Sequence, residues 1–198
     1  MKIILSRPKC FTYLSPLPLL PSPAFSPMRH LRRKLPLRAH GEQIVLVKRK
    51  QERIEHVWMK AFLWALYLPD YPTLSVEVSV DDRYKPDVVA MSTRVGPDPR
   101  RARPVFWGEA GHVSPDKIEA LLPRYPDTHF AIAKWDTPLD RTQDPVAPAL
   151  RDTSRSAPVD LYRFPPDSAD RFIENGVVSI HRSQIPWRRL GHRDDASA

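Results

Sequence analysis

The chain has 198 residues, 41% of them hydrophobic and 27% charged, which suits one domain of ordinary size with a real core and leaves little room for two. Its formal charge of +8 is unevenly placed: residues 1–41 hold eight of the 31 basic residues and no acid, so from Glu42 onward 23 basic residues meet 23 acidic ones. Bulk charge therefore gives no ground for a basic nucleic-acid-binding domain, and Cys10, the only cysteine, excludes an intrachain disulfide and a cysteine-rich zinc site.

The lone cysteine also points to an intracellular compartment, cytoplasmic first, with mitochondrial or nuclear as alternatives. Residues 1–41 carry seven prolines among Ser, Leu and basic residues. That spacing defeats a helix and removes backbone donors, so a disordered, basic, Pro-rich arm is predicted there. It reads equally as a targeting segment or as residues ahead of a start at Met28. Nothing in the chain approaches about 18 uninterrupted apolar residues, so no membrane span is predicted.

A single domain is predicted over 42–190, with a disordered tail at 191–198. "EQIVLVK" reads as a strand. "QERIEHVWMKAFLWALYL" (51–68) is the strongest helix, because Ile54, Val57, Trp58, Ala61, Phe62 and Ala65 form one continuous stripe. Leu63, Trp64 and Leu66 make its second half apolar nearly all round, which requires burial on most sides. Pro69 and Pro72 end it. Strands follow at 74–80, where apolar residues alternate, at 86–91 and at 104–110, the last two separated by the Gly- and Pro-bearing loop "STRVGPDPRRAR". Ser114 is an N-cap with Pro115 at the first helical position and Asp116 in the first turn. "HFAIAKW" (129–135) is a strand of buried composition. Pro145 and Pro148 weaken a helix at 138–151, and strand, short helix and strand complete the chain. Strands alternating with helices around one sheet give an α/β or α+β class.

Two acids stand out. Asp87, after Pro86, opens one apolar run, and Glu109 sits between Trp107 and Ala110 in the next. Carboxylates on neighbouring strands, facing one side, are what a hard cation such as Mg²⁺ or Mn²⁺ requires, and such an ion serves phosphodiester hydrolysis. Bland readings stand beside this one. Asp87 can be a turn residue and Glu109 a strand-end acid that reaches water. Lys134 can be a structural salt-bridge partner of Glu109, and Lys117 part of a solvated helix face. Arg94, Arg100, Arg101 and Arg103, and near the C-terminus Trp187, Arg188, Arg189 and Arg193, are weaker phosphate-binding candidates.

These residues resemble the PD-(D/E)xK nuclease superfamily and, within it, the YaeQ-like group. The resemblance runs from about Ile44 to Trp135 and rests on Pro86-Asp87, on "FWGEAG" with Glu109 as the strand acid, on the helix from Ser114 and on "HFAIAKW". It implies a restriction-endonuclease-like core, a mixed β-sheet flanked by helices. It further implies Asp87 and Glu109 as Mg²⁺ or Mn²⁺ ligands, with Glu55 or Glu52 on the upstream helix assisting, and nucleic acid as substrate; read from the residues alone, His56 beside them is a ligand or an ordinary helix histidine. The family's lysine lies two residues beyond the strand acid, where this chain has Gly111. Lys134 and Lys117 are the replacements. The implied function is a metal-dependent nuclease, or a nuclease-fold protein without catalysis that binds nucleic acid or protein.

Overall fold

The computed structural model describes residues 33–92, 102–151 and 154–191. Strands β1 (Arg33–Ala39) and β2 (Glu42–Lys48) form a hairpin. His40 and Gly41 both take positive φ, 51° and 83°, which is what a two-residue turn matched to the twist of its strands demands. The arm predicted over 1–41 is thus wrong for 33–39. Leu35, Leu37 and Ala39 alternate with exposed residues and bury one face. Pro36 is tolerated because its missing N–H falls where the hairpin ladder needs none. Residues 1–32 lie outside the described residues.

Helix α1 (Ile54–Tyr67) starts at the first residue of its apolar stripe, three residues into the segment 51–68. β3 (Ser75–Val76) is only two residues long, although alternation predicts a strand over 74–80. Glu77 ends it by taking φ 58° and sending its carboxylate to Lys60. β4 (Val88–Met91), β5 (Pro104–Ala110), α2 (Pro115–Arg124) and β6 (His129–Trp135) follow closely where the sequence puts them. Between β6 and β7 (Val159–Phe164), Pro145 separates the weak helix into α3 (Leu139–Gln143) and α4 (Val146–Arg151), and Pro148 sits in the first turn of α4. α5 (Ser168–Phe172), β8 (Ile173–Glu174) and β9 (Val177–Val178) precede a final strand, β10 (Trp187–Leu190), that sequence patterning does not reveal.

The larger sheet has the order β10-β7-β6-β5-β4-β3. Its centre, β5-β6-β7, is parallel, and its flanks are antiparallel. The smaller has the order β2-β1-β9-β8. One core joins Leu35, Leu37 and Leu46 of the small sheet, α1, and Val88, Phe106, Tyr162 and Phe164 of the large one. A second lies on the opposite face of the large sheet, where Trp107, Phe130, Ile132 and Leu161 meet Ile118, Leu121 and Leu122 of α2 and Val146 of α4. α1 is therefore covered from both sides, as its apolar second half requires. The α+β class with a mixed sheet and flanking helices is as the sequence predicts. Among the described residues no helix is long and apolar enough to cross a membrane.

Close approach of α1 to the sheet depends on Gly108, whose missing Cβ would stand 3.2 Å from Val88 Cβ, 3.2 Å from Phe106 Cε1 and 3.4 Å from Leu63 Cδ1. Gly108→Val is expected to destabilise the fold by about 1–3 kcal/mol through overpacking, read as a lower denaturation midpoint at unchanged slope.

A polar cluster around a buried acid lies on the α1 face, towards the start of β6. Asp160, fully buried on β7, accepts hydrogen bonds from Tyr67 Oη at 2.5 Å, His129 Nε2 at 2.9 Å, and Arg189 Nε and Nη2 at 2.8 and 2.9 Å. The far nitrogen of His129 meets Tyr71 Oη at 3.0 Å. Burial opposes the Asp160 charge, yet Arg189, His129 and Tyr67 together hold its carboxyl well below the usual range.

Candidate functional site

The β4–β5 ladder ends at the pair Val88–Gly108, so Asp87 comes next beside Glu109. The Asp87 amide donates to Gly108 O at 3.1 Å, and its Oδ2 accepts the Ala110 amide at 2.8 Å. That commitment fixes one oxygen and leaves Oδ1 facing His56 Nε2 at 3.5 Å. The two acids that the sequence pairs are therefore neighbours, Asp87 at the start of β4 and Glu109 at the end of β5.

Glu109 is 5% exposed, so it does not simply reach water. Its side chain lies on the same face as Trp107, by the two-residue period of a strand, and its Oε1 accepts the Trp107 indole N–H at 2.6 Å. The Lys117 ammonium sits 2.6 Å from the same oxygen. Burial pushes the Glu109 carboxyl above its usual range despite Lys117 and Trp107, and the Asp87 charge adds to the rise.

Lys117 arrives from the first turn of α2. Ser114 caps that turn, its Oγ accepting the Lys117 amide at 3.3 Å, and the side chain then bends under Tyr84 with Nζ 5.7 Å from the ring centre and 3.3 Å from Lys85 O. At 16% exposure it is no solvated-face lysine. Lys134, the other candidate, is half-buried on the Glu109 face and forms no ion pair with a described residue. Burial lowers its ammonium from the usual lysine range, and the Glu109 charge partly offsets this.

Gly111 leaves the strand. β5 ends at Ala110, and Gly111 turns away with φ 79°, so the strand period does not carry to that position. A lysine there would be strained and would not share the Glu109 face.

Behind Asp87 lies a chain of alternating charge. His56 Nδ1 meets Glu52 Oε1 at 2.8 Å, and Lys60 Nζ sits 2.6 Å from both Glu52 Oε1 and Glu77 Oε1. Asp87 foremost raises the His56 imidazole above its ordinary range. For Glu52, burial is outweighed by Lys60, the Arg49 amide and His56, which hold the carboxyl low. Glu55, the predicted helper, is half-buried and joins no ion pair with a described residue; Glu52, just ahead of α1, pairs with His56 and Lys60. Lys60 is 2% exposed. Lys60→Met is expected to destabilise the fold by about 2–3 kcal/mol, less than a fully sealed pair because Glu77 reaches water, as denaturant melts would show.

Arg94, Arg100, Arg101 and Arg193 lie outside the described residues. Arg188 binds Asp140 and Gln143, and Arg189 binds Asp160. Sequence reasoning missed Asp160, although an acid inside the apolar run "VDLYRF" is the same signal that marks Glu109.

Carboxylates are the ligand type of Mg²⁺ and Mn²⁺, which retain waters and complete their shell with substrate phosphate. Among the described residues no group of three or more His, Cys, Asp or Glu side chains is placed to hold an ion unaided.

No protein-family model and no curated protein matches the chain. Solved structures do. The YaeQ protein from Xanthomonas axonopodis pv. citri is 12% identical, covers 75% of this chain and 82% of its own, and superposes with TM-score 0.50. The YaeQ protein from Pseudomonas syringae is 16% identical over 79% of this chain and 83% of its own, with TM-score 0.49. At such identities the likeness is one of fold: this chain has a YaeQ-like fold.

Proposed function

We propose that the YaeQ-like fold of this chain carries a metal-dependent phosphodiesterase site for nucleic acid, of the PD-(D/E)xK kind, at the Asp87–Glu109 end of the large sheet. The observation that supports it is the set Asp87, Glu109 and Lys117: two carboxylates at adjacent strand ends, with a lysine ammonium 2.6 Å from the buried one. Asp87 and Glu109 would hold Mg²⁺ or Mn²⁺, which when bound supplies an activated water and charge stabilisation at the phosphorus oxygens. The Ala110 amide and His56 orient Asp87. Lys117 replaces the missing lysine at 111 and neutralises charge developing on the phosphoryl group. Lys134, held below its usual range, is the second cation on that face. Glu52 keeps His56 aimed at Asp87, and Glu55 takes no part.

The second reading is a nuclease-fold protein that binds nucleic acid or protein without cleaving. It draws support from the Lys117–Glu109 pair itself, which satisfies a buried charge without any ion. The test is cleavage of single- and double-stranded DNA and RNA by the full chain in Mg²⁺, Mn²⁺ or EDTA, beside Glu109→Gln and Asp87→Asn. Metal-dependent cleavage lost in both variants supports the enzyme. Absent cleavage, or cleavage that survives both changes, sinks it.

A further inference from the structure

The two sheets have four edges, β2 and β8, β10 and β3. Three are blunted. β8 and β3 are two residues long, and β10 carries Arg188 and Arg189, committed to Asp140 and Asp160. Short strands and charge are how folds protect edges from pairing. β2 has no such protection: seven residues, EQIVLVK, free of Pro and Gly. Val45 at its centre is 52% exposed, and a cleft lined by residues 44–47 and 74–77 runs along it.

The hairpin fixes which backbone groups face out. Pro36 pairs with Val45 and has no N–H, and the Arg38 amide turns to Gly176 O at 2.8 Å. Glu42, Ile44, Leu46 and Lys48 therefore bond to β1, while Gln43, Val45 and Val47 present N–H and C=O to the free edge. Among the described residues none bonds to these groups.

We propose that two copies of the chain pair antiparallel through β2, across a two-fold axis at Val45, independently of the proposed activity. The strand is self-complementary about that residue. Glu42 falls opposite Lys48 of the second copy, Gln43 opposite Val47 and Ile44 opposite Leu46. Each of Gln43, Val45 and Val47 then exchanges both outward hydrogen bonds. Neither Glu42 nor Lys48 forms an ion pair with a described residue, so both are available. The pairing is isologous and closed, joining the small sheets into one and ending the open edge.

Sedimentation equilibrium of the full chain over a micromolar concentration series tests this. The unmodified protein is expected to be a dimer. Val45→Lys, which sets two ammonium groups face to face, is expected to be a monomer with an unchanged circular dichroism spectrum. Glu42→Lys or Lys48→Glu alone puts like charges opposite at both ends and raises the dissociation constant by about tenfold, and the double exchange restores it. These strand-end changes, at the exposed Glu42 and the half-buried Lys48, decide the matter should the Val45 variant misfold. In a Cys10→Ser chain, Val45→Cys is expected to cross-link to itself on oxidation, because paired Cα atoms stand about 5.5 Å apart. A monomer at every concentration overturns the proposal, as does a dimer that ignores Val45→Lys and the charge exchange. A monomer whose Val45 amide exchanges slowly would give the edge to another segment and overturn it too.

Discussion

Glu109→Gln is expected to lower metal-dependent cleavage by about two orders of magnitude or more while leaving the fold nearly as stable as before. The two halves of this result come from different physics. Gln keeps a carbonyl oxygen for the Trp107 indole, so the geometry of the β5 strand end survives. It removes a charge that burial already disfavours, and the relief offsets the lost pairing with Lys117. What it cannot do is supply negative charge to a cation. Asp87→Asn is expected to behave alike in activity. Lys117→Met is expected to lower kcat by about tenfold to a hundredfold, with Lys117→Arg partly restoring it, and Lys134→Met to do less. Mn²⁺ titration calorimetry provides a second readout: binding lost in Glu109→Gln but kept in Lys117→Met would separate ion holding from charge stabilisation. Equal Mn²⁺ binding by all variants would remove Glu109 from the site.

The largest expected loss of stability is at Asp160. Asp160→Ala strips the acceptor from Arg189, His129 and Tyr67 at once; the exposed Arg189 can turn to water, while Tyr67 and His129 are left facing the gap, at a cost of about 2–4 kcal/mol. Asp160→Asn, which retains one acceptor oxygen, is expected to lose about half as much. The pH dependence carries the sign. The folded carboxyl is held below its unfolded value, about 3.9, so its contribution is fully present above that pH. It fades as pH falls through the depressed folded value. Denaturant melts of the unmodified chain should thus lose stability below about pH 4, and the Asp160→Ala chain should lose less over the same interval. Parallel acid profiles would show that the cluster contributes no charge stabilisation.

How far these features are legible in the sequence depends on how local their causes are. β2, β5 and β6 coincide with their apolar runs because nothing in their surroundings overrides the pattern. β1 is hidden because prolines and cations ahead of it suggest an arm, and only pairing with β2 shows Pro36 to be harmless. The alternation at 74–80 is real, but Glu77 leaves it for Lys60, a partner 17 positions earlier that no strand pattern contains. The acid pair is legible because β4 and β5 are neighbours in sequence and in space. The lysine beside Glu109 is legible only as a choice between Lys134 and Lys117, because the contact comes from a helix whose side-chain direction depends on how it docks. Asp160 needed the same reasoning as Glu109, and its partners, spread from Tyr67 to Arg189, have no local signature.

The hairpin's place beside β9 governs the order in which the chain can be completed. Arg38 lies against Val177, so the small sheet joins the opening stretch of the domain to its closing stretch. On a ribosome, α1 and the first strands of the large sheet emerge long before β9 exists to close the layer over them. Until then the hairpin is held only by its own turn and by α1, and the apolar side of that helix has an unfinished cover. Contacts so distant along the chain close slowly, and an apolar surface left waiting is where nascent proteins meet chaperones or one another.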